Sequence, residues 1–297
     1  MPELPEVEVT RRGLQPHLVG CTVQGVRWSN RRLRAPMPRQ LLDLYIRGGR
    51  VAAIDRRAKY LLIRMTSKSV LLVHLGMTGH LGLFPAAGPL ARHDHLCLLL
   101  DNGRELRFND PRRFGAIYVW PPLQAAALEN EFSARLGPEP FSDELNAGEL
   151  WRRAQGKRQA VKNFLMDSRM VAGLGNIYAN EILFVAGIHP QTPVHMIKKD
   201  AWGNVVTSCR AVLAQAIEAG GSTISDFLDA DGEPGYFQLQ FQVYGRAGAG
   251  CKQCGQEVKK TVLGGRATYF CPACQPLKKT QRPRGKTWRR GFETLNP

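Results

Sequence analysis

Cys251, Cys254, Cys271 and Cys274 form the pattern C-x2-C-x16-C-x2-C near the end of the chain. Two knuckles at that separation can bring four thiolates to one tetrahedral point, the arrangement that suits zinc, with a hairpin between the knuckles. No His, Asp or Glu completes an open site there, so the metal is expected to hold shape and not to do chemistry. Cys21, Cys97 and Cys209 stand alone in apolar or helical surroundings and are expected as buried free thiols. An odd total of seven cysteines, without a signal peptide, argues against a disulfide framework.

The span between the knuckles carries Lys259, Lys260 and Arg266, and a small zinc hairpin that presents cations fits a phosphate-binding finger. The whole chain agrees with that reading. Its 297 residues hold 41 Lys+Arg against 25 Asp+Glu, a net charge of +16, which is an electrostatic footprint for nucleic acid. The length allows roughly two domains with real cores. No apolar run reaches the roughly 20 residues of a membrane span, and no basic stretch followed by an apolar one opens the chain. A cytoplasmic protein is the expectation.

Along the chain the pattern changes twice. Residues 5–19 read as a helix interrupted late by Pro16. From about 22 to 120 short apolar or β-branched runs follow one another, with Asn102-Gly103 as a hairpin signal between two of them. That half is expected to be a β-sandwich or barrel-like domain with an N-terminal helix. From about 133 the period is helical. Val205, Val206, Cys209, Val212, Leu213, Ala216 and Ile217 make one stripe, which Gly220 and Gly221 stop. A second helix is expected from about Ile177 to a stop at Gly187 and Pro190. Residues 220–240 have no period and read as a long functional or mobile loop.

Several stretches carry chemistry. "MPELPEVEV" crowds Glu3, Glu6 and Glu8 at the start of a basic chain, between and after two prolines. Proline suits a first helical position and acids suit the positive end of a helix dipole, so these residues alone also fit a plain helix start. Lys59 stands at the mouth of an apolar strand, either as an acid/base of lowered pKa or as a snorkelling side chain. "FNDPRRFGA" sets Arg112, Arg113 and Phe114 on a turn, where the aromatic either enters a duplex beside a guanidinium or lies in the core. Met77, in "HLGMTGHLG", is a core plug or an apolar wedge, and His93 a phosphate donor or a loop histidine.

Taken in order, "MPELPEVEVTRRGL", "RRAKYLL", "HLGMTGHL", "HDH", "DPRRFGA", "LGPEP", "LMD", "GLGNIYANEILFVAGIHP", "DGEPGYF", "VYGRAG" and the four-cysteine finger resemble the bacterial formamidopyrimidine-DNA glycosylases from Met1 to Gln275. Leu4, where the related endonuclease VIII branch typically has Gly, favours the purine-lesion branch. The resemblance implies an α+β fold: a β-sandwich with an N-terminal helix over 1–132, a helical helix-two-turn-helix domain with the lesion-recognition loop over 133–240, a zinc finger over 241–275 and a basic tail over 276–297. It implies one structural zinc, duplex DNA containing a damaged base as partner, and a monomer.

It also implies roles. Pro2, exposed once Met1 is removed, matches the amine nucleophile. An α-amino group has a pKa about two units below lysine, so more of it is neutral near pH 7. Glu3 matches the acid/base of sugar opening, Glu6 a supporting acid, and Lys59 a proton-transfer and phosphate-binding lysine. Arg266 matches the finger arginine of the catalytic set, and phosphate clamping is the role its chemistry allows, because guanidinium does not deprotonate in proteins. Met77, Arg112 and Phe114 match the residues that fill the gap left by a flipped nucleotide. His93, Arg158, Lys162 and Asn176 match DNA-backbone positions, and Ser222 to Tyr236 the loop over the flipped base. The implied activity is excision of oxidised purines followed by β- and δ-elimination. An oxidised-pyrimidine glycosylase of the endonuclease VIII kind and a non-catalytic zinc-finger sensor of damage are the alternatives. The tail "PLKKTQRPRGKTWRRGFETLNP" carries seven Lys and Arg against Glu293 alone and reads as a flexible basic arm or a solubilising tail.

Overall fold

The computed structural model describes residues 2–86, 88–222 and 240–277. The chain opens with helix α1 (Leu4–Leu18), which runs through Pro16 before ending. Proline removes one hydrogen bond there, and so close to the helix end that loss is tolerated. Eight strands follow: β1 (Val23–Trp28), β2 (Val51–Arg57), β3 (Tyr60–Met65), β4 (Val70–His74), β5 (His80–Pro85), β6 (Asp94–Leu100), β7 (Arg104–Asn109) and β8 (Ala116–Trp120). They make two four-stranded antiparallel sheets, ordered β1-β6-β7-β5 and β2-β3-β4-β8. The expected hairpin joins β6 to β7, and Asn102 closes it by accepting the Arg104 N–H at 3.1 Å. A short helix α2 (Arg39–Tyr45), which buries Leu42, was not legible as a period.

Side-chain alternation explains why the strand sequences look continuously apolar. Leu61 and Ile63 of β3, with Leu71 and Val73 of β4, enter the core between the sheets. Leu62, Val70 and Leu72 point the other way and lie under Leu128 and Phe132 of α3 (Ala125–Arg135). Both faces of β3 and β4 are covered at these positions, so their runs can stay apolar on either side.

The second half is helical: α4 (Ala147–Ala154), α5 (Val161–Met166), α6 (Asn176–Val185) and α7 (Lys199–Glu218). The stripe read on α7 is buried throughout, alongside the fully buried Trp202. Each large aliphatic side chain so buried contributes about 1.5–3 kcal/mol. Of the lone cysteines, Cys97 and Cys209 are buried as expected. Cys21 is only half-buried, because the chain there leaves α1 for the surface, and its thiol donates to the His17 carbonyl at 3.2 Å. The finger hairpin is β9 (Lys259–Leu263) with β10 (Arg266–Phe270), turned by Gly264-Gly265. Among the described residues no helix is long and apolar enough to cross a membrane.

Candidate active site and nucleic-acid interface

The chain start lies where the two cores meet. Leu4 packs into the helical core, whereas Val7, Leu14 and Leu18 of the same helix pack into the sandwich. Pro2 and Glu3 are buried at that junction. The Glu3 carboxylate reaches the start of α6 and accepts the N–H groups of Gly175 at 2.7 Å, Ile177 at 2.9 Å and Tyr178 at 3.4 Å. A helix start offers unpaired N–H groups and a partial positive charge, so a carboxylate fits there. Gly175 makes the approach possible, since a Cβ at that position would sit 2.4 Å from the Glu3 carboxylate.

Glu6, one turn along α1, joins three segments. It accepts the Glu3 N–H at 2.8 Å, the Tyr178 hydroxyl at 2.6 Å, and the N–H and hydroxyl of Ser222 at 2.9 and 2.7 Å. Ser222 immediately precedes residues 223–239, so the lesion-loop assignment to Thr223–Tyr236 lies outside the described residues. The opening glutamates are thus more than a dipole-friendly helix start.

Lys59 follows Ala58, whose φ of 51° makes a tight left-handed turn between β2 and β3. Glu139 fixes that turn. Its carboxylate accepts the Ala58 N–H at 2.6 Å and pairs with Arg56 at 2.8 Å and Arg57 at 2.9 Å. Lys59 is only partly buried as a residue, but burial of its amine is the strongest influence and lowers its pKa. Glu3 and Glu6 oppose that shift and Arg266 adds to it. Burial likewise raises the pKa of Glu3, reinforced by Glu6 and opposed by Lys59 and the Ile177 N–H. An acid pushed up and an amine pushed down have proton affinities drawn towards each other, which is what an acid/base pair requires. His74, whose ring centroid lies 4.9 Å from that of Tyr60, is held neutral with a pKa of about 4, chiefly by burial and then by Lys59.

The finger reaches the same region from the other side. The Cys251 and Cys274 sulfurs are 3.9 Å apart, those of Cys254 and Cys271 3.5 Å, and all four lie within 4.8 Å of one another. Tetrahedral Zn–S bonds of about 2.3 Å place sulfurs roughly 3.8 Å apart, so the set fits zinc. The four cysteines hold one structural zinc ion, and their chemistry leaves it no open position. Arg266 is exposed at the start of β10.

Lys162, which the resemblance assigns to the DNA backbone, is fully buried, and its ammonium donates to the Ala267 carbonyl at 3.1 Å and the Thr268 hydroxyl at 2.7 Å. Helix α5 turns this cation towards the finger hairpin, so what it positions is the strand that carries Arg266. Asn176 binds the same carbonyl through its amide at 3.0 Å. Glu181, which the sequence reading missed, accepts the N–H groups of Gln242, Val243 and Tyr244 at 2.8, 3.0 and 2.8 Å, and so fastens the entry of the finger to α6.

The remaining candidates face solvent. Phe114 is 45% exposed and Met77 36%, which excludes the core placement for both. The Arg112 guanidinium lies 5.0 Å above the Phe114 ring, and Arg158 is exposed. His93 lines a cavity of about 270 Å³ with Arg31, Arg92, His95, Pro111 and Arg113, a wall rich in cations and free of carboxylates. Pro276 and Leu277 are described, and the rest of the tail, 278–297, lies outside the described residues.

Known proteins share this arrangement. The family model for the formamidopyrimidine-DNA glycosylase N-terminal domain matches residues 1–117, that for its H2TH domain residues 136–228, and a zinc finger found in FPG and IleRS residues 251–277. A formamidopyrimidine-DNA glycosylase of Stutzerimonas stutzeri is 49% identical over 277 residues, which are 93% of this chain and 100% of the relative. The crystal structure of a Lactococcus lactis FPG variant bound to Fapy-dG DNA superposes with a TM-score of 0.84 at 32% identity, covering 93% of this chain and 100% of that one. The Thermus thermophilus MutM (FPG) structure gives 0.80 at 40% identity, covering 92% and 98%. With the sandwich, the helical region and the finger each matched in order, and relatives aligned over their whole length, this chain belongs to the formamidopyrimidine-DNA glycosylase family.

Proposed function

We infer that the chain is a bifunctional DNA glycosylase and AP lyase of base excision repair, acting on duplex DNA that contains an oxidised purine. The observation that carries the mechanism is the convergence of Glu3, Glu6 and Lys59 on the chain start, where burial shifts Glu3 up and Lys59 down. With Met1 removed, the Pro2 amine attacks C1′ of the damaged nucleotide with its lone pair. The electrons of the C1′–N bond leave with the base, which takes up a proton. The Pro2 nitrogen then gives up its N–H proton, and Glu3 protonates the ring oxygen. As the C1′–O4′ bond breaks, the nitrogen lone pair forms the iminium that links Pro2 to C1′. That iminium acidifies the neighbouring sugar proton, and successive β- and δ-eliminations expel the 3′ and 5′ phosphates. Lys59 serves as base or phosphate partner in these steps. Arg266 clamps phosphate, held in place through Lys162 and Asn176. Met77, Arg112 and Phe114 fill the vacated stack, while His93 and Arg158 hold the backbone.

Solved relatives support the substrate class: one FPG is in complex with Fapy-dG DNA and a MutM with carbocyclic 8-oxo-G DNA. The Lactococcus lactis enzyme has also been solved with oxidised-pyrimidine DNA, so relative rates must separate the two branches. We further propose a monomer working in the cytoplasm on the nucleoid, divided near 132, 240 and 275, whose basic tail adds phosphate contacts.

Borohydride trapping under single-turnover conditions, on matched duplexes holding 8-oxoguanine opposite cytosine or an oxidised pyrimidine, tests this reading. Faster adduct formation with the purine lesion is expected. Bound DNA without an adduct would indicate a non-catalytic sensor, and a faster pyrimidine reaction would move the chain to the endonuclease VIII branch.

A further inference from the structure

Two separate loops carry the exposed side chains assigned above to the vacated stack. Met77 lies between β4 and β5, and Arg112 and Phe114 between β7 and β8. Their backbones touch: a Cβ on Gly76 would lie 2.4 Å from both the Gly115 nitrogen and the Phe114 carbonyl carbon. Beneath them lies Asp110, fully buried. Its carboxylate accepts the Thr78 hydroxyl at 2.7 Å on one oxygen and the Gly115 N–H at 2.8 Å on the other. Thr78, 6% exposed, in turn accepts the Arg112 N–H at 3.2 Å. The Asp110 carbonyl accepts the Arg113 N–H at 3.2 Å and lies 3.0 Å from His95 Nε2. One carboxylate and one hydroxyl therefore tie the residue after Met77 to both ends of the Arg112–Phe114 turn.

A single wedge and two independent probes differ in what they must do in a duplex. Separate loops would each lose conformational freedom as the nucleotide leaves, whereas joined loops arrive already ordered. A buried carboxylate is costly unless its oxygens are satisfied, so this one resists being pulled apart. We propose that Thr78 and Asp110 are positioning residues that lock the two loops into one rigid wedge, so that Met77, Arg112 and Phe114 enter the base stack as a unit. Neither residue touches DNA in this role. The proposal rests on the gap-filling assignment of Met77 and Phe114.

Thr78→Val keeps the shape and removes the hydroxyl, whereas Thr78→Ser keeps the hydroxyl. Both are compared with wild type for single-turnover excision from an 8-oxoguanine:cytosine duplex, and for cleavage of the same duplex with a preformed abasic site. Thr78→Val is expected to slow excision roughly tenfold or more while changing abasic cleavage by less than about threefold. Thr78→Ser should restore excision. Unchanged excision in Thr78→Val, equal losses in Val and Ser, or equal losses on both substrates would each overturn the coupling. Met77→Ala and Phe114→Ala are run alongside. If they too lose excision selectively while Thr78→Val does not, only the coupling fails. If they show no selective loss, the gap-filling assignment fails and takes the coupling with it.

Discussion

Replacing Glu6 with Gln changes one oxygen to an amide and almost nothing in volume. The Glu6 carboxylate accepts four hydrogen bonds, at 2.6–2.9 Å, from Glu3, Tyr178 and Ser222. Three of them converge on Oε1, so glutamine keeps most by placing its oxygen there. Its NH2 group then faces the Glu3 N–H, donor against donor. The fourth bond is lost, and the other three pass from charged to neutral. With charged bonds worth about 1.5–3 kcal/mol and neutral ones about 1, part of the loss is returned because no charge is buried. A net cost of about 2–4 kcal/mol remains. In a chain of this size that lowers the melting temperature by roughly 3–6 °C. The lost bond is the one beside Pro2, so adduct formation should slow at least about tenfold. Circular dichroism melts and single-turnover borohydride trapping read the two effects. A melt within a degree of wild type would refute the energetic argument. A lowered melt with trapping at the wild-type rate would refute the claim that Glu6 aligns the nucleophile.

Removing one finger ligand by Cys251→Ser should abolish zinc by metal analysis and weaken duplex binding while most helical circular dichroism survives. Unaltered affinity without zinc would contradict the finger's role. Lys162 has its pKa lowered to about 8 by burial and then by Arg266, against about 10.4 when unfolded. Between those values the unfolded chain binds more protons, so stability rises with pH across that window, and below it the penalty is fully present. Chemical denaturation should show that rise to be steeper in wild type than in Lys162→Met, and identical slopes would refute the assigned burial. Truncation after Gln275 should leave zinc and single-turnover excision nearly intact while flattening log affinity against log salt by about 0.9 per lost phosphate contact. An unchanged slope would mean the tail does not touch DNA.

Most of the architecture was legible because its signals are local. The strand runs, the Asn102-Gly103 turn, the α7 stripe and the cysteine spacing each depend on residues near one another in sequence, and all match the structure. The site was less so, because its contacts span the chain. Nothing around Lys162 shows that Ala267 and Thr268 will meet it from more than a hundred residues away. A lysine in a basic chain therefore reads as a DNA contact. Glu139, Glu181 and Asp110 went unread as functional for the same reason: each binds backbone N–H groups, and backbone donors leave no mark in a sequence. Phe114 could not be placed from "DPRRFGA" alone, since an aromatic after a turn is usually buried, and only the short loop braced on Asp110 turns it outward.

The central claim is that the first amine of the processed chain, held by Glu3 and Glu6 beside α6, is the nucleophile. Peptide mapping by mass spectrometry of the borohydride-reduced adduct, formed on an 8-oxoguanine:cytosine duplex, tests it most directly. The sugar remnant should be found on the N-terminal peptide at the nitrogen of Pro2. A remnant on the Lys59 amine, with the Pro2 peptide unmodified, would contradict the account.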